Sequence, residues 1–239
     1  MNRLRSRIVG TGSYLPARVM TNRDLEQLVE TNDEWIVSRT GIRERRIAAD
    51  HEATSDLAYE AARRALDAAG LRAQDLDLVV VATLTPDAPL PATAVYLQHR
   101  LGAKKAAAFD VAAACTGFIY GLAVVDGLIR TGVAKNCLLV GAEVLSRFMN
   151  WKDRGTCIIF GDGAGAAVLV PTHGRSGLLS THLYADGGQA ELLCIPGGGS
   201  RRPATGVMVF AWSGLRKQPE KIEAIGRAFR GMRGAETTR

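Results

Sequence analysis

The sequence predicts an α/β fold with a largely parallel sheet and helices on both of its faces. Three observations carry this reading. Short valine-rich runs alternate with longer segments of helical apolar spacing; the runs are apolar throughout, as in strands buried on both faces; and the helical segments tend to stop at a glycine. With 239 residues, 47% of them hydrophobic, the chain can bury a sizeable core as one large domain or two small ones, which excludes a disordered chain.

Taken in order, Ile8 to Tyr14 reads as the first strand. In "TNRDLEQLVE" an N-cap candidate, Thr21 or Asn22, precedes Leu25, Leu28 and Val29 at helical spacing. "TSDLAYEAARRALDAAG" predicts a clearer helix: Ser55 can cap it, Leu57, Ala58, Ala61, Ala62, Ala65 and Leu66 make one small apolar face, and Gly70 stops it. "LDLVVVATL" is then a buried strand, "ATAVYLQHRLG" a helix, "AAAFDVAAA" a strand, "GFIYGLAVVDGLIRTG" a helix and "NCLLVGAEVL" a strand. No helix long enough for a crossover separates "GAAVLV" from "GLLSTHLYADG", so an antiparallel hairpin is expected to end the sheet. "FGDGAGA", from Phe160 to Ala166, lacks the GK[ST] ending of a phosphate loop and is expected to be a tight turn into a strand, Ala166 to Val170.

One helix differs from the rest. Between Thr116 and Thr131 the residues Phe118, Ile119, Leu122, Ala123, Val124, Val125, Leu128 and Ile129 spread nearly all round, which predicts a helix buried on every side. A group at its start would then lie deep inside. After Pro203 the character changes, and only Glu220 to Phe229 has a helical pattern. The expected organisation is residues 1–200 as the folded part and 201–239 as a basic tail.

Charge supports that division. Up to Ser200 there are 21 Lys and Arg against 21 Asp and Glu, so the net charge of +6 lies wholly in the last 39 positions. That tail has no interleaving of aromatic and basic residues suited to nucleic acid. Gly10, Gly12 and Pro16 interrupt the basic start before any apolar run of signal-peptide length, and no later stretch could span a bilayer, so a cytoplasmic protein without membrane contact is expected. The four cysteines, Cys115, Cys137, Cys157 and Cys194, have neither CxxC spacing nor histidine neighbours, which fits reduced thiols rather than disulfides or a metal site.

Cys115 stands in "DVAAACTGFIYGL", where small apolar residues run up to the thiol and the apolar helix follows. Unsatisfied amides at a helix start favour thiolate over thiol and can stabilise the oxyanion formed when sulfur attacks a thioester. Acyl transfer is the chemistry this arrangement suits; a buried structural cysteine is the alternative.

Five motifs, "GTGSYLP", "TNDEWIVSRTGIRERR", "DVAAACTGFIYGL", "DRGTCIIFGDGAGAAVL" and "ADGGQAELLCIPG", occur in an order and at spacings that resemble the β-ketoacyl-acyl-carrier-protein synthase III family. The likeness runs from Ile8 to about Pro196. It implies a thiolase-like fold, of which this chain holds the N-terminal half, and the condensation of an acyl group from acyl-coenzyme A with malonyl-acyl carrier protein that initiates fatty acid biosynthesis. By the resemblance Cys115 is the acyl-accepting nucleophile. Trp35 matches the residue stacking on the adenine of coenzyme A, Arg39 one near its phosphates, Arg154 the cation on the adenine's other face, and Thr31 a polar neighbour.

The resemblance also implies a homodimer in the full-length family, no permanently bound cofactor, and at Leu90 a position where many relatives carry a phenylalanine lent to the partner's acyl pocket. The nearby Arg43, Arg45 and Arg46 could greet an acidic carrier protein or form a solvated basic face. The family's "PHQAN" and "NTSAAS", which supply the histidine and asparagine for decarboxylation, do not occur in these residues. His51, His99, His173 and His182 match neither position. The enzyme reading therefore stands beside a second: a non-catalytic remnant that binds coenzyme A or pairs with a full-length relative.

Overall fold

The computed structural model describes residues 4–203, so most of the basic tail and the helix expected at Glu220 to Phe229 lie outside the described residues. In chain order the elements are β1 (Leu4–Tyr14), β2 (Arg18–Thr21), α1 (Asn22–Glu26), α2 (Asp33–Thr40), β3 (Glu44–Ile47), α3 (Thr54–Ala69), β4 (Leu78–Ala82), α4 (Thr93–Leu101), β5 (Ala107–Val111), α5 (Gly117–Arg130), β6 (Cys137–Val144), α6 (Arg154–Cys157) and β7 (Asp162–His173). They divide between two units. Among the described residues the first comprises 4–16, Ala48–Val144 and Asp162–Tyr184; the second comprises Ala17–Ile47, Leu145–Gly161 and 185–203.

The first unit is built on a five-stranded sheet in the order β1-β7-β6-β4-β5. β4 runs parallel to β5 and β6, β7 opposes β6, and β1 opposes β7, so β7 alone runs against the other strands. The expected hairpin does not form. Both edges of β7 are taken, by β1 (Thr11 opposite Ala167) and by β6 (Leu139 opposite Ala167), so "GLLSTHLYADG" has no free edge to join. It continues without strand structure, with Leu178 N–H donating to the Ser6 carbonyl at 2.8 Å. β7 also starts earlier than expected: Gly163 and Gly165 lie inside the strand rather than in a turn before it.

Alternation along β4 explains why its run is apolar throughout. Val79 and Val81 pack with Leu57, Ala61 and Ala65 of α3 and Leu97 of α4, while Leu78 and Val80 pack with Leu122, Val125 and Ile129 of α5. The small face of α3 lets it approach β1 to backbone contact. A Cβ at Gly12 would fall 2.3 Å from the Ala61 carbonyl oxygen, and one at Gly10 would fall 2.4 Å from that of Ala65. Ser55 is not the cap of α3. The helix begins at Thr54, with Ala53 in the cap position, and Asp87, from the loop after β4, accepts from the Ser55 amide at 2.9 Å and its hydroxyl at 2.6 Å.

α5 departs from the all-round burial that its composition predicts. Gly117, Gly121, Leu122, Val125 and Ile129 face the sheet, whereas Ile119 is 42% exposed and Val124 38%. Among the described residues no second layer covers that outer face. It is therefore an apolar helix seated on one sheet only.

In the second unit β2 and β3 pair antiparallel, with Met20 opposite Arg45. Thr21 caps α1 through a reciprocal arrangement with Asp24, as its position predicts. That helix is shorter than its apolar spacing suggests: Gln27 and Leu28 N–H groups bond back to Asp24 and Leu25 carbonyls, tightening the chain into a turn and leaving Leu28 exposed. Asn32 caps α2, and Gly41, with φ 75°, ends it in the left-handed conformation.

Candidate active site

In the first unit β5 ends at Val111, a short turn follows over Ala114–Thr116, and α5 begins at Gly117. Cys115 sits in this turn, exposed rather than deep inside, because the outer side of α5 is open. Ala114 before it has φ 47°, a left-handed conformation that costs a non-glycine residue about 1 kcal/mol or more. The turn is held against the sheet: the Thr116 amide and hydroxyl both donate to the Ala113 carbonyl, and Gly117 is buried so closely that a Cβ there would lie 3.3 Å from Ala82 Cβ. No side chain caps the start of α5, so the positive end of a 14-residue helix faces the region of the thiol.

The other thiols differ. Cys137 and Cys157 are fully buried, and burial pushes them up to about 12 and about 11, so they remain protonated and unreactive. Cys194 is half-buried.

Two carboxylates at the ends of apolar strands brace the surroundings of this turn. Glu143 of β6 accepts from the Leu84 amide at 2.8 Å, the Thr85 amide at 3.1 Å and the Thr83 and Thr85 hydroxyls, which fixes the loop after β4. Asp110 of β5 accepts from the Thr93 and Ala94 amides at 2.7 and 2.8 Å, capping α4 from outside. Burial holds both above the usual carboxylate range against the lowering effect of those donors. Sequence reasoning passed over both; a lone acid inside an apolar strand is the signal that marks them.

The residues matched to coenzyme A all lie in the second unit. Asn32 Oδ1 accepts from the Trp35 amide at 2.7 Å, fixing the start of α2. The Arg39 guanidinium lies 4.3 Å from the Trp35 ring centre and that of Arg154 4.6 Å, so the structure brings these three together. Arg154 also donates to the Glu30 carbonyl at 3.0 Å. Next in the chain, the Thr31 hydroxyl is buried with no hydrogen-bond partner among the described residues, a polar atom that a ligand would satisfy.

Of the neighbouring arginines, Arg45 is only 5% exposed and so cannot greet a carrier protein. Arg43 is exposed, and Arg46 pairs with Glu44 at 3.7 Å. Leu90 is 85% exposed in the loop after β4. Among the described residues, no helix is long and apolar enough to cross a membrane and no group of three His, Cys, Asp or Glu could hold a metal ion.

Known proteins share this architecture. A family model described as 3-oxoacyl-[acyl-carrier-protein (ACP)] synthase III matches residues 109–187, which include Cys115 and Arg154. A β-ketoacyl-[acyl-carrier-protein] synthase III of Desulfitobacterium hafniense is 60% identical over 198 residues, covering 83% of this chain and 60% of that protein. The chain thus spans about 60% of the length of that curated relative. A crystal structure of 3-oxoacyl-[acyl-carrier-protein] synthase III from Aquifex aeolicus superposes with TM-score 0.79 at 46% identity, over 88% of this chain and 65% of the other. Another crystal structure of a 3-oxoacyl-(acyl-carrier-protein) synthase III gives TM-score 0.82 at 34% identity, over 95% of this chain and 74% of that one. Sequence and three-dimensional likeness agree across nearly all the described residues, and the chain belongs to the β-ketoacyl-[acyl-carrier-protein] synthase III family.

Proposed function

We propose that this chain carries the acyl-accepting half of a β-ketoacyl-acyl-carrier-protein synthase III, with Cys115 as nucleophile and acyl-coenzyme A as donor. The observation that carries the reading is the exposed thiol at the uncapped start of α5. Cys115 loses its proton to solvent, its sulfur attacks the thioester carbonyl carbon, and the tetrahedral oxyanion is stabilised by amides of the helix start. Collapse breaks the bond to the coenzyme A sulfur, which leaves as thiolate and takes up a proton. Trp35, Arg39, Arg154 and Thr31 hold the nucleotide: the indole and the Arg154 guanidinium offer flat faces to the adenine, the Arg39 guanidinium a two-pronged contact to phosphate, and the buried Thr31 hydroxyl a free donor and acceptor.

In the complete reaction the acyl group joins malonyl-acyl carrier protein in the cytoplasm, starting a fatty acid chain. That step requires donors aimed at the enolate oxygen, and removing one donor of this kind typically costs about 100- to 1,000-fold. A polypeptide of these 239 residues, which lacks the family's "PHQAN" and "NTSAAS", is expected to acylate without condensing. The full protein is expected to pair as a homodimer. In support, β5 is an edge strand and Leu90 stands exposed for a partner.

Incubation with acetyl-coenzyme A followed by peptide mass mapping tests the reading. An acetyl group on Cys115, absent in Cys115→Ser, supports it; acetylation at Cys137 or Cys157 of folded protein overturns it. A radiolabelled malonyl assay on the same polypeptide should give no product above the Cys115→Ser control. The second reading, a remnant pairing with a full-length relative, draws on the open apolar face of α5. Co-expression with such a relative and sedimentation of the complex tests that.

A further inference from the structure

Arg45 has an environment that stability alone does not explain. It is 5% exposed, and its guanidinium donates to the Met20 carbonyl at 3.2 Å, to Asn22 Oδ1 at 2.7 Å and to the Ile158 carbonyl at 3.3 Å. These acceptors are all uncharged, and the buried Nε has no hydrogen-bond partner. Burying a guanidinium on neutral oxygens is costly, and an apolar side chain of similar size often serves a core as well or better. Burial lowers its proton affinity, an effect that the neighbouring Cys157 and the Asp24 carboxylate only partly offset, and neither of them is among its hydrogen-bond acceptors.

The partners show what the charge accomplishes. Asn22 Nδ2 donates to Asp33 Oδ1 and to the Ile42 carbonyl, each at 2.8 Å. Asp33 is the first residue of α2 and Ile42 lies just past its end, so Asn22 grips both ends of the helix that bears Trp35 and Arg39. Ile158 directly follows α6, whose first residue is Arg154. The strand–loop contact is tight here as well: a Cβ at Gly161 would come 2.9 Å from Arg45 Cβ. One guanidinium therefore ties the carrier of Trp35 to the carrier of Arg154.

We propose that Arg45 is a positioning residue that keeps Trp35 and Arg154 in register for a coenzyme A nucleotide. The proposal rests on the reading of Trp35 and Arg154 as the nucleotide site, and the following experiment separates the two. Arg45→Met and the milder Arg45→Lys are made in the 239-residue chain, with Ile47→Val as a core control in the same unit. Coenzyme A affinity is read by calorimetry, and the Trp35 indole N–H resonance, assigned with Trp35→Phe, reports the ring's surroundings.

Arg45→Met should weaken binding about tenfold and shift the Trp35 resonance, Arg45→Lys should recover part of both, and the alkylation rate of Cys115 should not move. Equal weakening by Ile47→Val at matched loss of melting temperature would reduce the effect to general stability and overturn the proposal. So would an unchanged Trp35 resonance in Arg45→Met. If wild type and Trp35→Ala bind coenzyme A equally or not at all, the nucleotide reading fails, and the resonance alone then decides whether Arg45 positions Trp35.

Discussion

The Arg154 guanidinium rests directly on the Trp35 ring, 4.6 Å from its centre. A base inserted between them needs roughly 7 Å, twice the ~3.5 Å contact distance of stacked groups. The two groups that the family resemblance places on opposite faces of an adenine are therefore in contact with each other, and a nucleotide must swing Arg154 aside to enter.

This contact makes the two side chains unequal. Trp35→Ala should lose about 1–3 kcal/mol of coenzyme A affinity, the worth of stacking one base on an aromatic ring. Arg154→Ala should lose less, because removing the guanidinium also removes the work of displacing it. Calorimetry on both variants checks the order; an Arg154→Ala loss exceeding that of Trp35→Ala would mean that the base does not stack on the indole.

Thiol selectivity follows from burial. At pH 8 a thiol pushed up to about 12 is ionised to roughly one part in 10⁴, and one at about 11 to roughly one part in 10³. Iodoacetamide should therefore label Cys115 before Cys137 or Cys157 in folded protein, with the buried pair reacting only in denaturant. Peptide mass mapping over a time course reads the order directly.

Cys137 also makes stability depend on alkaline pH. Its pKa is raised from 9 in the folded state, so the folded protein holds the proton more tightly than the unfolded chain does. The stability linked to it is fully present below pH 9 and is lost as the pH climbs from 9 toward about 12. Urea midpoints measured between pH 8 and 10.5 should fall, and Cys137→Ala, though less stable at pH 8, should show a shallower fall.

Ala114, with φ 47°, gives a backbone test. Glycine adopts this conformation freely, so Ala114→Gly should leave stability unchanged or raise it by up to about 1 kcal/mol. Ala62→Gly, in the middle of α3 and fully buried, should instead lower it by about 2 kcal/mol, the loss of helix propensity adding to that of a buried methyl. Thermal melts of the two variants distinguish them, and equal destabilisation would show that Ala114 is unstrained.

Much of the fold was legible because its causes are local. The valine run of β4, the alanine face of α3 and its stop at Gly70 each report their own surroundings, and Gly10 and Gly12 match that alanine face across the interface. The pairing of β7 was not legible, since its partners are set by the whole sheet and not by the segment that follows it. Nor was the exposure of α5: composition says which faces are apolar, not how many of them find a partner. At the site, Cys115 could be proposed from its place before a helix, whereas the meeting of Trp35 and Arg154 came only through family resemblance. Arg45 was within reach, because strand alternation in "ERRI" turns it inward beside Ile47, but its charge argued for a surface place.

The β1–β7 pairing governs the order in which the chain can complete itself during synthesis. Tyr14 pairs with Ala164 and Leu4 with His173, so more than half the chain lies between the two strands. Among the sheet strands, the first to leave the ribosome is closed by the last. At synthesis rates of about 5–20 residues per second, β1 waits roughly 8–30 s for its ladder partner, with its hydrogen-bonding edge available to any neighbouring nascent chain. Helix α3, complete about 3–11 s after β1, can cover Gly10 and Gly12 on the face of β1 while its edge stays open. The edge itself closes only when β7 has been made, so the sheet is completed last along the strand that began it.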